Sequence, residues 1–145
     1  MLSKLKQVTM HIATICKRNP GTGCFGTIMT YKSITKEITG IEPETTKKRI
    51  ELTAVIKSLQ KLKEPCDIKI YSPSTYICYA VNNKWLANWE KNNWKRSQGR
   101  ELKNADLWET LNELLKIHNV TFICTQKQNK KSNSYKLADS AYKAA

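Results

Sequence analysis

Leu52, Val55, Ile56, Leu59 and Leu62 recur at helical spacing and form one apolar stripe. The spacing predicts a helix over 45–59, with Thr45 or Thr46 able to cap its start and Pro65 preventing its continuation. A helix of this kind must bury its stripe against another layer. The segments before it supply one. Residues 7–15 alternate, with Val8, Met10 and Ile12 on one face and Thr9, His11 and Ala13 on the other, as in a strand with one strongly apolar face. A Pro- and Gly-rich turn over 17–23 comes next, then predicted strands over 24–31 and 32–39. Gly40 to Glu44 reads as the connection into the helix.

Beyond Pro65, residues 66–71 are apolar enough for a buried parallel strand, and Asp67 stands at its beginning. Helices are expected from Ser74 and around Trp85. Residues 104–118 form a clear amphipathic helix, with Leu107, Trp108, Leu111, Leu114 and Leu115 inward and Asp106 and Glu109 suiting the dipole at its start. A fifth strand is expected over 120–125, a polar basic loop over 126–134, and a last helix capped by Asn133 or Ser134. The expected fold is therefore α/β: a five-stranded mixed sheet with helices on both faces. The 145 residues suit a single domain spanning 1–145.

Charge narrows the partners. There are 25 Lys and Arg against 12 Asp and Glu, a formal net charge of +13. That excess favours a polyanion, either nucleic acid or an anionic membrane surface. No apolar run approaches the roughly 18 residues of a membrane span. The start, Met1 to Lys6, lacks the apolar core of a signal peptide. Five cysteines without a C-x-x-C pair read as small core residues in a reducing compartment, and a cytoplasmic location is expected. His11 and His118 are far apart and read as structural. Glu51 flanks the apolar stripe. From its stretch alone it reads as a solvated helix glutamate, with a metal ligand at the edge of a buried face as the sharper possibility.

Asn19-Pro20-Gly21-Thr22-Gly23 and, further on, Thr45-Thr46-x-x-Arg49-x-Glu51-Leu52 resemble, in order, the turn after the first strand and the start of the first long helix of bacterial-type (type 1) ribonuclease H. Trp85, Asn88, Trp89, Trp94-Lys95 and Asn104-x-Asp106-Leu107-Trp108 resemble its basic handle and the helix behind it. Ala138-Asp139 resembles the acidic pair on its last helix. The resemblance implies a ribonuclease H-like fold. It also implies cleavage of the RNA strand of an RNA–DNA hybrid, with carboxylates holding two divalent metals about 4 Å apart.

Position by position, the resemblance keeps two of the family's carboxylates, Glu51 and Asp139, and places Ala13 and Pro73 where the other two stand. Asn129 falls near the family's flexible-loop histidine. The expectation from this comparison is a chain that has lost catalysis, needs no metal or other cofactor, and keeps nucleic-acid binding. Two alternatives stand beside it. One is an active but altered ribonuclease H dependent on Mg²⁺ or Mn²⁺, and the other is a protein-interaction or structural module reusing the fold. Expected contacts to an RNA–DNA hybrid or other duplex are Asn19, Thr46, Lys47 and Lys48 around the first helix. The handle adds Lys84, Lys91, Lys95, Arg96 and Arg100, and the last loop adds Lys127, Lys130 and Lys131. Trp85 and Trp89, one helical turn apart, read as packing anchors of the handle.

Overall fold

The computed structural model of the protein describes residues 5–96, 99–125 and 127–145; the expected start at 1–4 and Gln126 of the predicted basic loop lie outside them. Three strands, β1 (Lys6–Cys16), β2 (Gly21–Tyr31) and β3 (Ile34–Thr45), form an antiparallel meander. Helix α1 (Lys47–Gln60) then leads to β4 (Cys66–Ser72). Three helices come next, α2 (Thr75–Asn82), α3 (Trp85–Lys91) and α4 (Ala105–Ile117). Strand β5 (Asn119–Cys124) and helix α5 (Asn133–Ala144) complete the chain. The sheet order is β3-β2-β1-β4-β5, and β4 pairs parallel with both β1 and β5. This is the mixed sheet the sequence predicts. Its centre is parallel because β4 reaches the sheet only through α1, a crossover long enough to reverse direction.

Helices cover both faces, and two glycines of β2 mark which. Side chains three residues apart on a strand point to opposite faces. A Cβ on Gly23 would lie 3.1 Å from Ile50 of α1, whereas one on Gly26 would lie 2.7 Å from the Ala138 nitrogen of α5. Helix α1 buries Ile50, Leu52, Val55 and Leu59 completely against Met10, Phe25, Ile68 and Ile70 of the sheet. One polar pair crosses this layer, Thr27 Oγ1 to Ser58 Oγ at 2.7 Å, so neither buried hydroxyl is orphaned. In α4, Trp108 and Leu111 are fully buried, and Leu107, Leu114 and Leu115 pack partly buried against the core.

Three expectations change. Strand β3 does not end at Thr39 but runs through Pro43 to Thr45. Helix α5 is capped by Ser132, which accepts the Tyr135 N–H at 3.1 Å, instead of by Asn133 or Ser134. Glu51 is not solvated; it is 8% exposed.

Candidate active site and nucleic-acid interface

The carboxyl ends of β1 and β4 meet at a cavity of about 230 Å³. Ala13 and Pro73 line it from the two strands, with His11 and Tyr71 beside them and Lys127 and Asn129 opposite. Topology brings these together: β1 and β4 are parallel neighbours at the centre of the sheet, and open α/β sheets place their sites beyond the carboxyl ends of such strands. Three of the positions singled out in the sequence, Ala13, Pro73 and Asn129, thus share one cavity. The loop after β5 closes over it, and Gln128 Oε1 accepts the Thr14 N–H at 2.7 Å. His11 stacks on Tyr71 with ring centroids 4.6 Å apart.

Glu51 comes to the same region from α1. Ser74, the residue after Pro73, donates its hydroxyl to Glu51 Oε1 at 3.1 Å and accepts the Ile77 N–H as the N-cap of α2. Burial pushes the Glu51 carboxyl above the ordinary carboxylate range, and the Ser74 hydrogen bond and the Lys47 and Lys48 charges only partly oppose it. Asp139 stands on α5 beside Ala138, the residue packed on Gly26, which is itself the cross-strand partner of Ala13. Its carboxylate pairs with Lys143 at 3.0 Å, one helical turn on.

Among the described residues no three His, Cys, Asp or Glu side chains gather as a metal cluster. Glu51 and Asp139 are the carboxylates that the resemblance assigns to metal binding. That donor set does not fit a pair of metals held by four carboxylates. Burial raises the thiols of Cys16, Cys24 and Cys66, which weakens them as nucleophiles. Cys78 is fully buried, and burial, with the thiol of Cys124 beside it, pushes its own thiol up to about 12. His118 is structural: its Nδ1 accepts the Cys66 N–H at 3.0 Å in a buried setting that lowers its basicity.

The expected contact residues fall into three groups, exposed except for the half-buried Thr46. At the start of α1, Asn19 Oδ1 accepts the Lys47 N–H at 2.8 Å and Thr46 caps the helix through the Arg49 N–H, so both side chains serve the helix terminus itself. Lys47 and Lys48 project from a first turn that holds no acid. Lys48 Nζ lies 4.9 Å from the Tyr76 ring. The second group is the handle. Lys84 and Lys91 bracket α3, and Lys95, Arg96 and Arg100 lie at or beside the isolated antiparallel bridge between Lys95 and Glu101. Trp89 packs edge-on to Trp108 at 5.1 Å, an anchor as expected, while Trp85 is 44% exposed. The third group, Lys127, Lys130 and Lys131, is exposed on the loop over the cavity. Sequence reasoning missed Ser74 and Gln128, whose partners lie 23 and 114 residues away and leave no local pattern.

Comparison with known proteins gives the same outline. The RNase H family model matches residues 5–143. The ribonuclease H of Caldicellulosiruptor saccharolyticus is 47% identical over 118 residues, covering 81% of each chain. That of Chlorobium chlorochromatii is 44% identical, covering 81% of this chain and 80% of its own. That of Francisella philomiragia is 46% identical, covering 84% and 80%. Among solved structures, LC9-RNase H1, a type 1 RNase H with the type 2 active-site motif, superposes with a TM-score of 0.77 at 19% identity, covering 97% of this chain and 72% of its own. LC11-RNase H1, solved in complex with RNA/DNA hybrid, gives 0.64 at 16%, covering 93% and 99%. The chain belongs to the ribonuclease H family.

Membership corrects two expectations. The loss of catalysis inferred from Ala13, Pro73 and Asn129 is overturned, because relatives 44–47% identical over most of the chain are ribonucleases H. The altered but active enzyme is the better-supported reading. The expected lack of a cofactor falls with it, since ribonuclease H activity in this family is metal-dependent. The physical reason is that a count of carboxylates does not decide turnover. Hard cations also take carbonyl, amide and water oxygens as ligands.

Proposed function

We propose that the protein binds RNA–DNA hybrid and cleaves its RNA strand as a ribonuclease H with an altered, cation-dependent site. The observation that carries this reading is the 47% identity to a ribonuclease H across 81% of both chains. The surface supports it. Basic side chains at a helix N-terminus oppose the helix dipole, so Lys47 and Lys48 there are suited to a bound phosphate and not to the helix alone. The handle and the loop over the cavity add two further basic faces, which suit a duplex backbone approached from several sides. In this reading the chain's own groups bind and orient. The α1 terminus and handle hold phosphates, Lys127 faces the cavity with positive charge, and Ser74 fixes the rotamer of Glu51.

The test is cleavage of an end-labelled hybrid in Mg²⁺ and in Mn²⁺ by the wild type and by Glu51→Gln. The reading expects cation-dependent cleavage that is lost in the variant. Hybrid binding without cleavage in either metal would overturn it.

A further inference from the structure

We infer that the cavity at the carboxyl ends of β1 and β4 binds a phosphate group directly, through side-chain donors of the loop that follows β5. The ligand chemistry is that of a phosphate dianion, either free inorganic phosphate or the terminal phosphate of a nucleic-acid strand. The inference rests on the proposed ribonuclease reading only in placing this cavity at the active site. Gln128 and Asn129 both line the cavity. Gln128 Oε1 accepts the Thr14 N–H at 2.7 Å, and Asn129 Oδ1 accepts the Lys131 N–H at 3.0 Å. An amide side chain receives a backbone N–H only through its oxygen, so each amide is oriented and its NH2 is turned away from that bond. Among the described residues neither NH2 meets an acceptor, and both remain as donors in the cavity.

Ser132 and Ser134 in the same wall add a donor. Their hydroxyls lie 3.2 Å apart, and Ser132 Oγ also accepts the Tyr135 N–H. Whichever hydroxyl donates to the other, one hydroxyl hydrogen is left over. Ser134 is 4% exposed, so the pair is fixed in the wall by packing. Lys127 supplies the charge, and among the described residues it forms no ion pair. None of the described lining residues is acidic, so nothing in the wall repels an oxyanion. A hard cation needs the reverse, a wall of oxygen acceptors, and two of this loop's amide oxygens are already engaged. An ammonium, two amide NH2 groups and a hydroxyl suit the oxygens of a phosphate, the bonds being assisted by charge. The volume of about 230 Å³ admits a group of that size and excludes a duplex.

The experiment is a titration of the full chain with inorganic phosphate, with a chelator present to remove divalent cations, followed by nitrogen–proton NMR of the side-chain amides. The expected result is saturable movement of the Gln128 and Asn129 NH2 signals, with no comparable movement at the start of α1 or in the handle. Lys127→Gln should weaken binding about tenfold. Ala13→Asp, which sets a carboxylate in the cavity, should weaken it by at least as much. Combined Lys47→Gln and Lys48→Gln should leave it unchanged, and the same spectra show that each variant is folded. A short single-stranded RNA with a 5′-phosphate separates the two sources. If it binds more tightly than inorganic phosphate and than its 5′-hydroxyl form, the ligand is a strand terminus; if it binds no more tightly than inorganic phosphate, the ligand is the free ion. Three results would overturn the proposal: no saturation, movement confined to α1 and the handle, or unchanged affinity in Lys127→Gln. Signal movement and not turnover is read, so the outcome is independent of whether the protein cleaves hybrid.

Discussion

The Ser74 hydroxyl donates to Glu51 Oε1 at 3.1 Å while accepting the Ile77 N–H in the first turn of α2. One side chain therefore joins the end of β4, the start of α2 and the buried acid of α1. Ser74→Ala removes a helix cap and a donor to a buried carboxylate together. We expect a loss of about 1–3 kcal/mol at neutral pH in urea unfolding, with Ser74→Thr recovering most of it. A loss no larger than that of an exposed Ser→Ala control would show that the contact carries little.

Glu51 sets a pH dependence whose sign is fixed by burial. Its folded pKa is raised, so the ionised form costs stability above that pKa, and the cost disappears as pH falls to the ordinary value of 4.5. Glu51→Gln should therefore be more stable than wild type at pH 8. The advantage should shrink to nothing near pH 4.5. Thermal melts at the two pH values check this, and a gain that grows toward acid pH would contradict it.

Arg49 ties α1 to α4. Its guanidinium grips Asp106 with two hydrogen bonds, of 3.0 and 2.8 Å, and reaches Asn104 Oδ1 at 3.2 Å. The Asp106 side chain is 65% exposed, so water and salt screen the pair. Asp106→Asn should cost only about 0.5–1 kcal/mol at pH 7 and low salt. The Arg49 partner lowers the Asp106 pKa, so this stability is present above the ordinary aspartate value of 3.8 and is lost as pH falls through the depressed one. Wild type and variant should converge in strong acid. An equal gap at pH 7 and pH 2 would assign the effect to packing.

The handle should behave as a phosphate-binding face. Combined Lys91→Ala, Lys95→Ala and Arg96→Ala should weaken duplex binding similarly for all base sequences. The salt dependence should flatten by up to roughly 0.9 in slope for each phosphate that these side chains neutralise. Titration at two salt concentrations reads both quantities, and unchanged affinity would make these side chains a solvated surface only.

What the sequence made legible was periodic. Alternation in β1 and the stripe of α1 and α4 each point at a buried layer, and those elements stand within about two residues of expectation. What it hid depended on context. Gly40 and Pro43 look like a connection, yet they lie inside β3, an edge strand, where a proline's missing N–H costs no ladder bond. Ser132 takes the cap of α5 in place of Ser134, which is buried where α5 packs on Gly26 of β2. Glu51 was legible as lying beside the stripe but not as buried, because its donor Ser74 belongs to another element. The site positions were traceable only through family resemblance. Inactivity does not follow from Ala13 and Pro73, because counting side chains omits the other oxygens that bind a cation.

The altered site also predicts how activity should respond to added acids. Ala13 is 3% exposed and lines the cavity from β1, and Pro73 lines it from the end of β4. A carboxylate at each place would join Glu51 and Asp139 and raise the number of hard oxygen donors near the cavity. Ala13→Asp alone should change the rate little, because one strand end still lacks its acid. Pro73→Asp adds the second donor and frees a backbone whose φ the ring had fixed. Ala13→Asp with Pro73→Asp should therefore cleave hybrid about tenfold faster than wild type or more. Mn²⁺ should be favoured over Mg²⁺, because Mg²⁺ demands nearer-ideal geometry. Glu51→Gln in the double variant should abolish the gain. Rates from single-turnover cleavage, at matched hybrid occupancy, separate chemistry from binding. If the double variant binds hybrid as wild type does and cleaves no faster, the cavity at the ends of β1 and β4 is not where cleavage occurs.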